Sequence, residues 1–111
     1  MKDDRLYLEH ILECAKRVQE AVQGGRDKFL SDHLIQDAVL RNLQIMTESC
    51  QRLSPELKAR HPEVDWRGLS GFRNILVHEY LGIDFEIVWA LVEQKLSGLT
   101  RMADLELKRA I

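Results

Sequence analysis

The chain has 111 residues, of which 45% are hydrophobic and 6% aromatic, and it contains two prolines. This length predicts one domain spanning residues 1–111, and the scarcity of aromatic residues and prolines favours helices over a β-sandwich or β-barrel. The formal net charge of −2 excludes a general nucleic-acid coat protein, so any binding of nucleic acid depends on local positive patches.

The first predicted helix extends from about Asp4 to Val22, because apolar residues recur there at steps of three and four. Gly24 and Gly25 follow it, and adjacent glycines favour a turn over continued helix. The second predicted helix begins near residues 31–32 (Ser-Asp), which are both good capping residues, and it ends before the Ser-Pro pair at residues 54–55.

Pro55 opens a short predicted helical turn, and the His-Pro pair at residues 61–62 interrupts the helical pattern again. Asp65 is a suitable cap for a further helix that continues to Tyr80. We expect Gly82 to end that helix in a left-handed conformation, as glycine often does.

The last predicted helix begins after Asp84, and its apolar residues form a long seam: Phe85, Val88, Trp89, Val92, Leu96, Leu99 and Ala103. Spacings that alternate between three and four are typical of a coiled-coil face. The seam packs within the bundle or, in part, against a second subunit. Together the elements predict an all-α fold, a four- to five-helix up-down bundle with short connections.

The N-terminus is charged from Lys2 onwards, and no apolar run is long enough to cross a bilayer. Cys14 and Cys50 lack CxxC spacing and fall within helical patterns, which favours small buried thiols in a reducing compartment. We therefore expect a soluble cytoplasmic protein that does not bind membranes.

The segment of residues 73–80, with the sequence RNILVHEY, contains the most reactive combination of side chains in the chain. Arg73 offers a fixed fork of donors suited to phosphate, His78 can move a proton near neutral pH, and Tyr80 adds a hydroxyl group. On an ideal helix, Arg73 and Tyr80 lie within about 20° of each other. His78 lies about 140° from Arg73 and forms a second stripe with Asn74.

That separation is too large for one compact site within a single helix. Three arrangements would bring the two side chains into one site. The long Arg73 side chain could wrap around the helix, the helix could distort before Gly82, or two copies of the segment could meet across a two-fold interface. A fourth alternative is purely structural, with a solvated arginine, a half-buried histidine and a packing tyrosine.

Two other pairs share a helical face: His10 with Cys14, and His33 with Asp37. Because a zinc site needs three or four ligands and supporting hydrogen bonds, these pairs do not predict a metal site.

Glu48 lies near the buried face of the second predicted helix, where a carboxylate either reaches solvent or takes an arginine or a helix N-terminus as its partner. A loose basic run precedes the RNILVHEY segment, and acidic residues dilute it, so it predicts only a solvated loop: Lys58, Arg60, His61 and Arg67.

The RNILVHEY segment resembles the R-N-x-x-x-H-x-Y motif of the HepT-like proteins, a branch of the HEPN superfamily. The resemblance extends over nearly the whole chain. Residues 29–32 and 37–45 resemble the family's second helix, and Glu48 matches the acidic residue of its G-E-A element. Residues 53–56, 62–66 and 83–89 resemble the segments on either side of the motif helix. Three positions depart from the family pattern: Thr47, Ser49 and Asp65.

The resemblance implies a ribonuclease toxin of a type VII toxin–antitoxin pair, with a metal-independent site at a homodimer interface and no cofactor. Arg73 would bind the scissile phosphate, His78 would transfer protons, and Asn74 and Glu48 would support the site. Tyr80 would be the residue that the antitoxin modifies with AMP.

The resemblance implies three partners: RNA, a second copy of the chain, and a minimal nucleotidyltransferase antitoxin. The assembly with the antitoxin contains either the homodimer or a higher oligomer. The alternative function is that of a non-catalytic helical scaffold for a nucleotidyltransferase.

Overall fold

A computed structural model describes residues 3–109, except for the side chain of Tyr80. Within that range the chain forms six α-helices: α1 (Asp4–Ala21), α2 (Arg26–Ser31), α3 (His33–Arg52), α4 (Pro55–Arg60), α5 (Trp66–His78) and α6 (Phe85–Arg109). One turn of 3₁₀ helix, Tyr80–Gly82, lies between α5 and α6, and residues 3–109 contain no strand. The prediction of an all-α bundle is confirmed, and the structure adds the short helix α2. None of the helices in this range has the length and apolar character needed to span a bilayer.

Local capping determines where three of the helices begin. The side chains of Asp32, Ser54 and Asp65 accept hydrogen bonds from backbone N–H groups in the first turns of α3, α4 and α5. Asp84 caps α6 in the same way, because its carboxylate accepts a hydrogen bond from the backbone N–H of Glu86. The caps predicted from sequence at Asp32, Asp65 and Asp84 are therefore confirmed, and the cap at Ser54 is an addition from the structure.

Glycine has different roles at the two predicted helix ends. Gly25 has a φ of 92°, a conformation that other residues rarely adopt, and it redirects the chain from α1 into α2. The predicted left-handed conformation of Gly82 is wrong, because Gly25 is the only glycine with positive φ in residues 3–109. Helix α5 instead ends at His78, and the chain turns through the 3₁₀ segment before α6.

The core lies between α1, α3 and α6, and α5 packs against α3 on the side of the bundle. The seam of α6 is buried within the chain through its residues Val88, Val92, Leu96, Leu99, Met102 and Ala103. Both cysteines are buried free thiols, as predicted. Burial raises the pKa of Cys50 to about 12, which leaves this thiol protonated and unreactive. Since α5 is fixed on α3, the packing of these two helices decides where the side chains of the RNILVHEY segment lie.

A buried polar cluster joins the loop before α5 to the C-terminal half of α6. The two ring nitrogens of His61 lie 2.6 Å from Glu106 Oε2 and 2.8 Å from Glu63 Oε2. Arg60 Nη2 donates to Glu106 Oε1 at 2.6 Å, and Trp66 Nε1 donates to the backbone carbonyl of His61 at 3.0 Å. The prediction that this basic run is only a solvated loop is wrong for His61, which is 8% exposed. The cluster anchors the start of α5.

This cluster predicts a dependence of stability on pH. Burial lowers the pKa of His61, but its hydrogen bonds to Glu63 and Glu106 outweigh that effect, and the pKa is raised above its ordinary value of 6.5. The hydrogen bond from Arg60 lowers the pKa of Glu106 below its ordinary 4.5, against the opposing effect of burial. The stabilisation from protonated His61 is therefore complete below pH 6.5 and is lost as the pH rises through the raised pKa. The stabilisation from Glu106 is present above pH 4.5 and is lost as the pH falls through the lowered pKa.

Urea unfolding across a pH series measures this dependence. We expect the free energy of unfolding of the wild type to fall above neutral pH, and His61→Gln to remove that decline. The exposed His33 provides the control, because His33→Gln should leave the wild-type decline in place. An unchanged pH profile for His61→Gln would show that the cluster does not couple protonation to folding.

Candidate active site

Arg73 lies on the side of α5 that faces α3. Its Nη2 donates to Glu48 Oε2 at 3.4 Å, and its Nη1 donates to Asn74 Oδ1 at 3.3 Å. Glu48 also accepts from the side-chain amide of Gln44 at 3.4 Å. The Arg73 and Glu48 side chains are 29% and 36% exposed, so the pair lies at the edge of the buried face. Of the two alternatives for Glu48, the structure thus shows an arginine partner, with the carboxylate still in contact with solvent.

The hydrogen bonding of the Arg73 guanidinium group is incomplete. Its Nε is buried and has no hydrogen-bond partner among the described residues. A buried donor without a partner costs about 1–3 kcal/mol. Because the contacts with Glu48 and Asn74 are also long, they hold Arg73 only weakly. The guanidinium group therefore keeps hydrogen-bonding capacity for an anion that offers shorter, charge-assisted hydrogen bonds.

His78 and Asn74 are exposed on the outer face of α5. Helix α5 continues through His78, so the separation of about 140° between Arg73 and His78 holds in the folded chain. The Arg73 guanidinium group bonds to Glu48 on α3 and to Asn74 on its own helix, and within the described residues it forms no hydrogen bond with His78. Helix α5 ends at His78, before Gly82. Because Arg73 and His78 both lie within the regular helix, the end of the helix does not bring their side chains together. One chain thus places its Arg73 and its His78 on different sides of α5.

The backbone of Tyr80 belongs to the 3₁₀ turn after α5, and its side chain lies outside the described part of the structure. Because α5 stops at His78, the angle of about 20° expected between Arg73 and Tyr80 on an ideal helix does not apply. The role predicted for Tyr80 as a modification site stays a prediction.

Large apolar side chains are exposed on both sides of His78 in the chain. Ile75, Leu81 and Ile87 are 42%, 90% and 60% exposed. Beside them, a groove of about 570 Å³ separates α5 from α6, and it is bordered by glycines and apolar residues that include Gly68, Gly71, Ile75, Leu91 and Gly98. Apolar surface of this kind, next to a catalytic candidate, suits contact with another protein surface.

The two pairs of possible metal ligands remain isolated pairs. In the described part of the chain, no group of three or more His, Cys, Asp or Glu side chains is arranged to hold a metal ion. Cys14 is buried in α1, whereas His33 and Asp37 are exposed on α3.

The sequence interpretation overlooked several polar residues of α3. Asp37, Arg41 and Gln44 lie on the stripe of α3 that leads to Glu48, and they line a groove between α3 and α5. Counted together with Glu48, these residues are spaced four, three and four apart, a pattern in the sequence that places all four side chains on one face of a helix. That spacing alone did not show which helix would pack beside it.

A comparison with protein families finds a match between residues 11–105 and the family described as ribonuclease HepT-like. The chain belongs to the HepT-like ribonuclease family. The matched range contains Glu48 and the whole of the RNILVHEY segment. The resemblance stated from the sequence motif is thus confirmed, and with it the prediction that the chain is a ribonuclease by family.

Individual relatives agree with this assignment. A protein of Caldanaerobacter subterraneus subsp. tengcongensis, named provisionally as an RNase, is 33% identical over 102 residues, which are 91% of this chain and 91% of that protein. The probable ribonuclease HepT of Thermococcus cleftensis is 33% identical over 94 residues, covering 84% of this chain and 86% of its own length. The mRNA nuclease HepT of Shewanella oneidensis is 29% identical and covers 85% of this chain and 88% of its own length. No solved structure matches the chain.

Proposed function

We propose that this chain, as one domain over residues 1–111, is a cytoplasmic, metal-independent endoribonuclease and the toxin of a HEPN/minimal-nucleotidyltransferase pair. The observation that carries the proposal is the placement of Arg73 and His78 on different sides of α5, together with the family match. An arginine and a histidine that one chain keeps apart can still act together if two copies of α5 approach each other about a two-fold axis. The name of the Shewanella relative, an mRNA nuclease, supports RNA as the substrate.

The proposed reaction needs only protein side chains and the RNA itself. His78 of one chain takes the proton from a ribose 2′-hydroxyl group, whose oxygen attacks the adjacent phosphorus atom. The bond from phosphorus to the 5′-oxygen of the next nucleotide breaks, and His78 of the second chain donates a proton to that oxygen. Arg73 binds the phosphate oxygens, which carry the negative charge that builds up during the attack. The products are a 2′,3′-cyclic phosphate and a 5′-hydroxyl end.

The surface around His78 supports a second copy of this chain as the partner. In a two-fold dimer the same patch of both copies forms the contact, so an apolar patch buries itself against its own copy. Ile75 and Leu81, three residues before and three residues after His78, provide such exposed apolar surface, and Ile87 at the start of α6 is also exposed. We propose that this patch, together with the outer face of α5, brings the two active-site segments into one cleft.

Regulation by the antitoxin is proposed at Tyr80. An AMP group on this residue would add bulk and negative charge seven residues after Arg73 in the chain. Negative charge near a phosphate-binding arginine repels RNA, so the modification would switch the enzyme off. The partner that attaches it would be a minimal nucleotidyltransferase, bound to the dimer or to a higher oligomer.

The proposal is tested with purified protein whose intact mass shows no nucleotide on Tyr80. We expect it to cleave single-stranded RNA in the presence of EDTA and to leave 2′,3′-cyclic phosphate ends, which mass spectrometry of the products identifies. RNA that stays intact under these conditions, or cleavage that requires an added divalent cation, would contradict the proposal. A chain that leaves RNA intact but binds a nucleotidyltransferase would instead be the scaffold alternative.

A further inference from the structure

A groove of about 350 Å³ lies between α3 and α5 on the Arg73 side of α5, and none of the residues assigned to the active site above lines it. The lining residues are Asp37, Leu40, Arg41, Gln44, Leu76 and Val77. Pockets for small ligands typically measure about 300–1,000 Å³, so the groove has room for one small group. Its lining combines charged, amide and apolar side chains.

The groove is continuous with the contact between Glu48 and Arg73. Arg41, Gln44 and Glu48 follow each other at steps of three and four along one stripe of α3. Gln44 belongs to both places, since it lines the groove and its amide donates to Glu48. Seven residues of helix separate Arg41 from Glu48 by about 10 Å along the axis. Since Arg73 bonds to Glu48, the spacing along α3 separates Arg41 from the partner of Arg73 by more than one helical turn, as two contacts on one strand require.

Arg41 carries a positive charge that no neighbouring carboxylate offsets directly. It is exposed, and within the described part of the chain it forms neither a salt bridge nor a side-chain hydrogen bond. Asp37 lies four residues earlier on the same face, yet it does not pair with Arg41. An exposed guanidinium group without a partner is well suited to bind phosphate oxygens through two parallel hydrogen bonds.

The rest of the groove suits the other parts of a nucleotide. Leu40 and Val77, both half-buried, give an apolar wall against which the face of a base can lie, and the buried Leu76 lies at the base of the same wall. Gln44 offers an amide to the edge of a base. The Asp37 carboxylate accepts a hydrogen bond from a ribose hydroxyl group, which distinguishes RNA from DNA.

We propose that this groove binds one nucleotide of the RNA strand beside the scissile phosphate, with Arg41 as the residue that binds its phosphate. The inference rests on the proposed function, because it assigns a further contact to the same substrate. Arg41 acts here in binding and takes no part in proton transfer.

The test measures RNA binding separately from cleavage. A fluorescent single-stranded RNA is titrated with the His78→Ala protein at several salt concentrations, with and without the additional change Arg41→Gln. We expect Arg41→Gln to weaken binding about tenfold and to reduce the slope of log K against log salt by about 0.7, the value for one phosphate contact on a single strand. The matched control is Arg101→Gln, which removes an exposed arginine of α6 and should leave binding unchanged.

A second measurement locates the base. RNA containing 4-thiouridine is crosslinked to the His78→Ala protein, and mass spectrometry identifies the crosslinked peptide. We expect crosslinks within residues 37–44 or at residues 76–77. Crosslinks confined to other parts of the chain would overturn the inference.

The outcomes separate this inference from the proposed function. If Arg41→Gln binds RNA as tightly as Arg101→Gln does, the groove is not a nucleotide site, and cleavage by the wild type still stands. If binding depends on Arg41 but the wild type does not cleave, the inference holds and the proposed catalysis fails. A protein that binds no RNA at any salt concentration would contradict both.

Discussion

Replacement of His78 by Ala is expected to reduce RNA cleavage by more than about 100-fold, because one positioned proton-transfer group usually contributes about 100- to 10,000-fold and the dimer loses both. Without the imidazole, neither the 2′-hydroxyl group nor the leaving oxygen has a side chain to exchange a proton with. His78 is exposed at the end of α5, so its removal should leave helix content and unfolding temperature close to those of the wild type. Single-turnover cleavage of a labelled RNA measures the rate, and circular dichroism measures the fold.

The matched control for this prediction is His33→Ala, which removes another exposed histidine, at the first turn of α3. We expect His33→Ala to cleave at the wild-type rate. Equal rates for both variants and the wild type would show that His78 takes no part in the reaction. The scaffold alternative predicts instead that none of the three proteins cleaves RNA and that all three bind the nucleotidyltransferase.

Replacement of Arg73 by Lys is expected to reduce kcat/KM by about 100- to 1,000-fold, the range found when one donor to a developing negative charge is lost. Lysine keeps the positive charge but lacks the planar fork that binds two phosphate oxygens at once. The protein should not be destabilised, because the pair with Glu48 is partly exposed and long at 3.4 Å and the substitution also removes the buried Nε that has no partner. Kinetics measured below saturation give kcat/KM, and urea unfolding gives the stability.

Two further variants show whether the effect belongs to Arg73 itself. Arg101→Lys makes the same chemical change at an exposed position of α6 and should leave kcat/KM unchanged. Glu48→Gln removes the charge that holds Arg73, and we expect a smaller loss than for Arg73→Lys because the guanidinium group remains. Arg73→Lys with wild-type kcat/KM would refute phosphate binding by the guanidinium fork.

Features that depend on neighbouring residues were predictable from the sequence. Asp32 and Asp65 cap helices because their side chains reach backbone N–H groups two or three residues further on. The separation of Arg73 from His78 followed from helical geometry alone, and α5 keeps that geometry through His78.

Features that depend on distant residues were not predictable in the same way. His61 was interpreted as part of a solvated loop because its partner Glu106 lies 45 residues later in the chain. The groove beside Arg41 exists only because α5 packs along α3, and the spacing of residues within α3 did not specify that neighbour. Gly82 was expected to adopt positive φ, but the turn after His78 is made by a 3₁₀ segment that needs no left-handed residue.

The central claim, that two chains contribute their histidines to one cleft, is tested most directly with a mixed dimer. Wild-type and His78→Ala chains carrying different affinity tags are expressed together, and the mixed dimer is purified through both tags. We predict that it cleaves RNA at least about 100-fold more slowly than the wild-type dimer, because one proton donor or acceptor is missing from the shared cleft. A mixed dimer that retains about half of the wild-type rate would contradict the account, since each chain would then contribute independently to a site of its own.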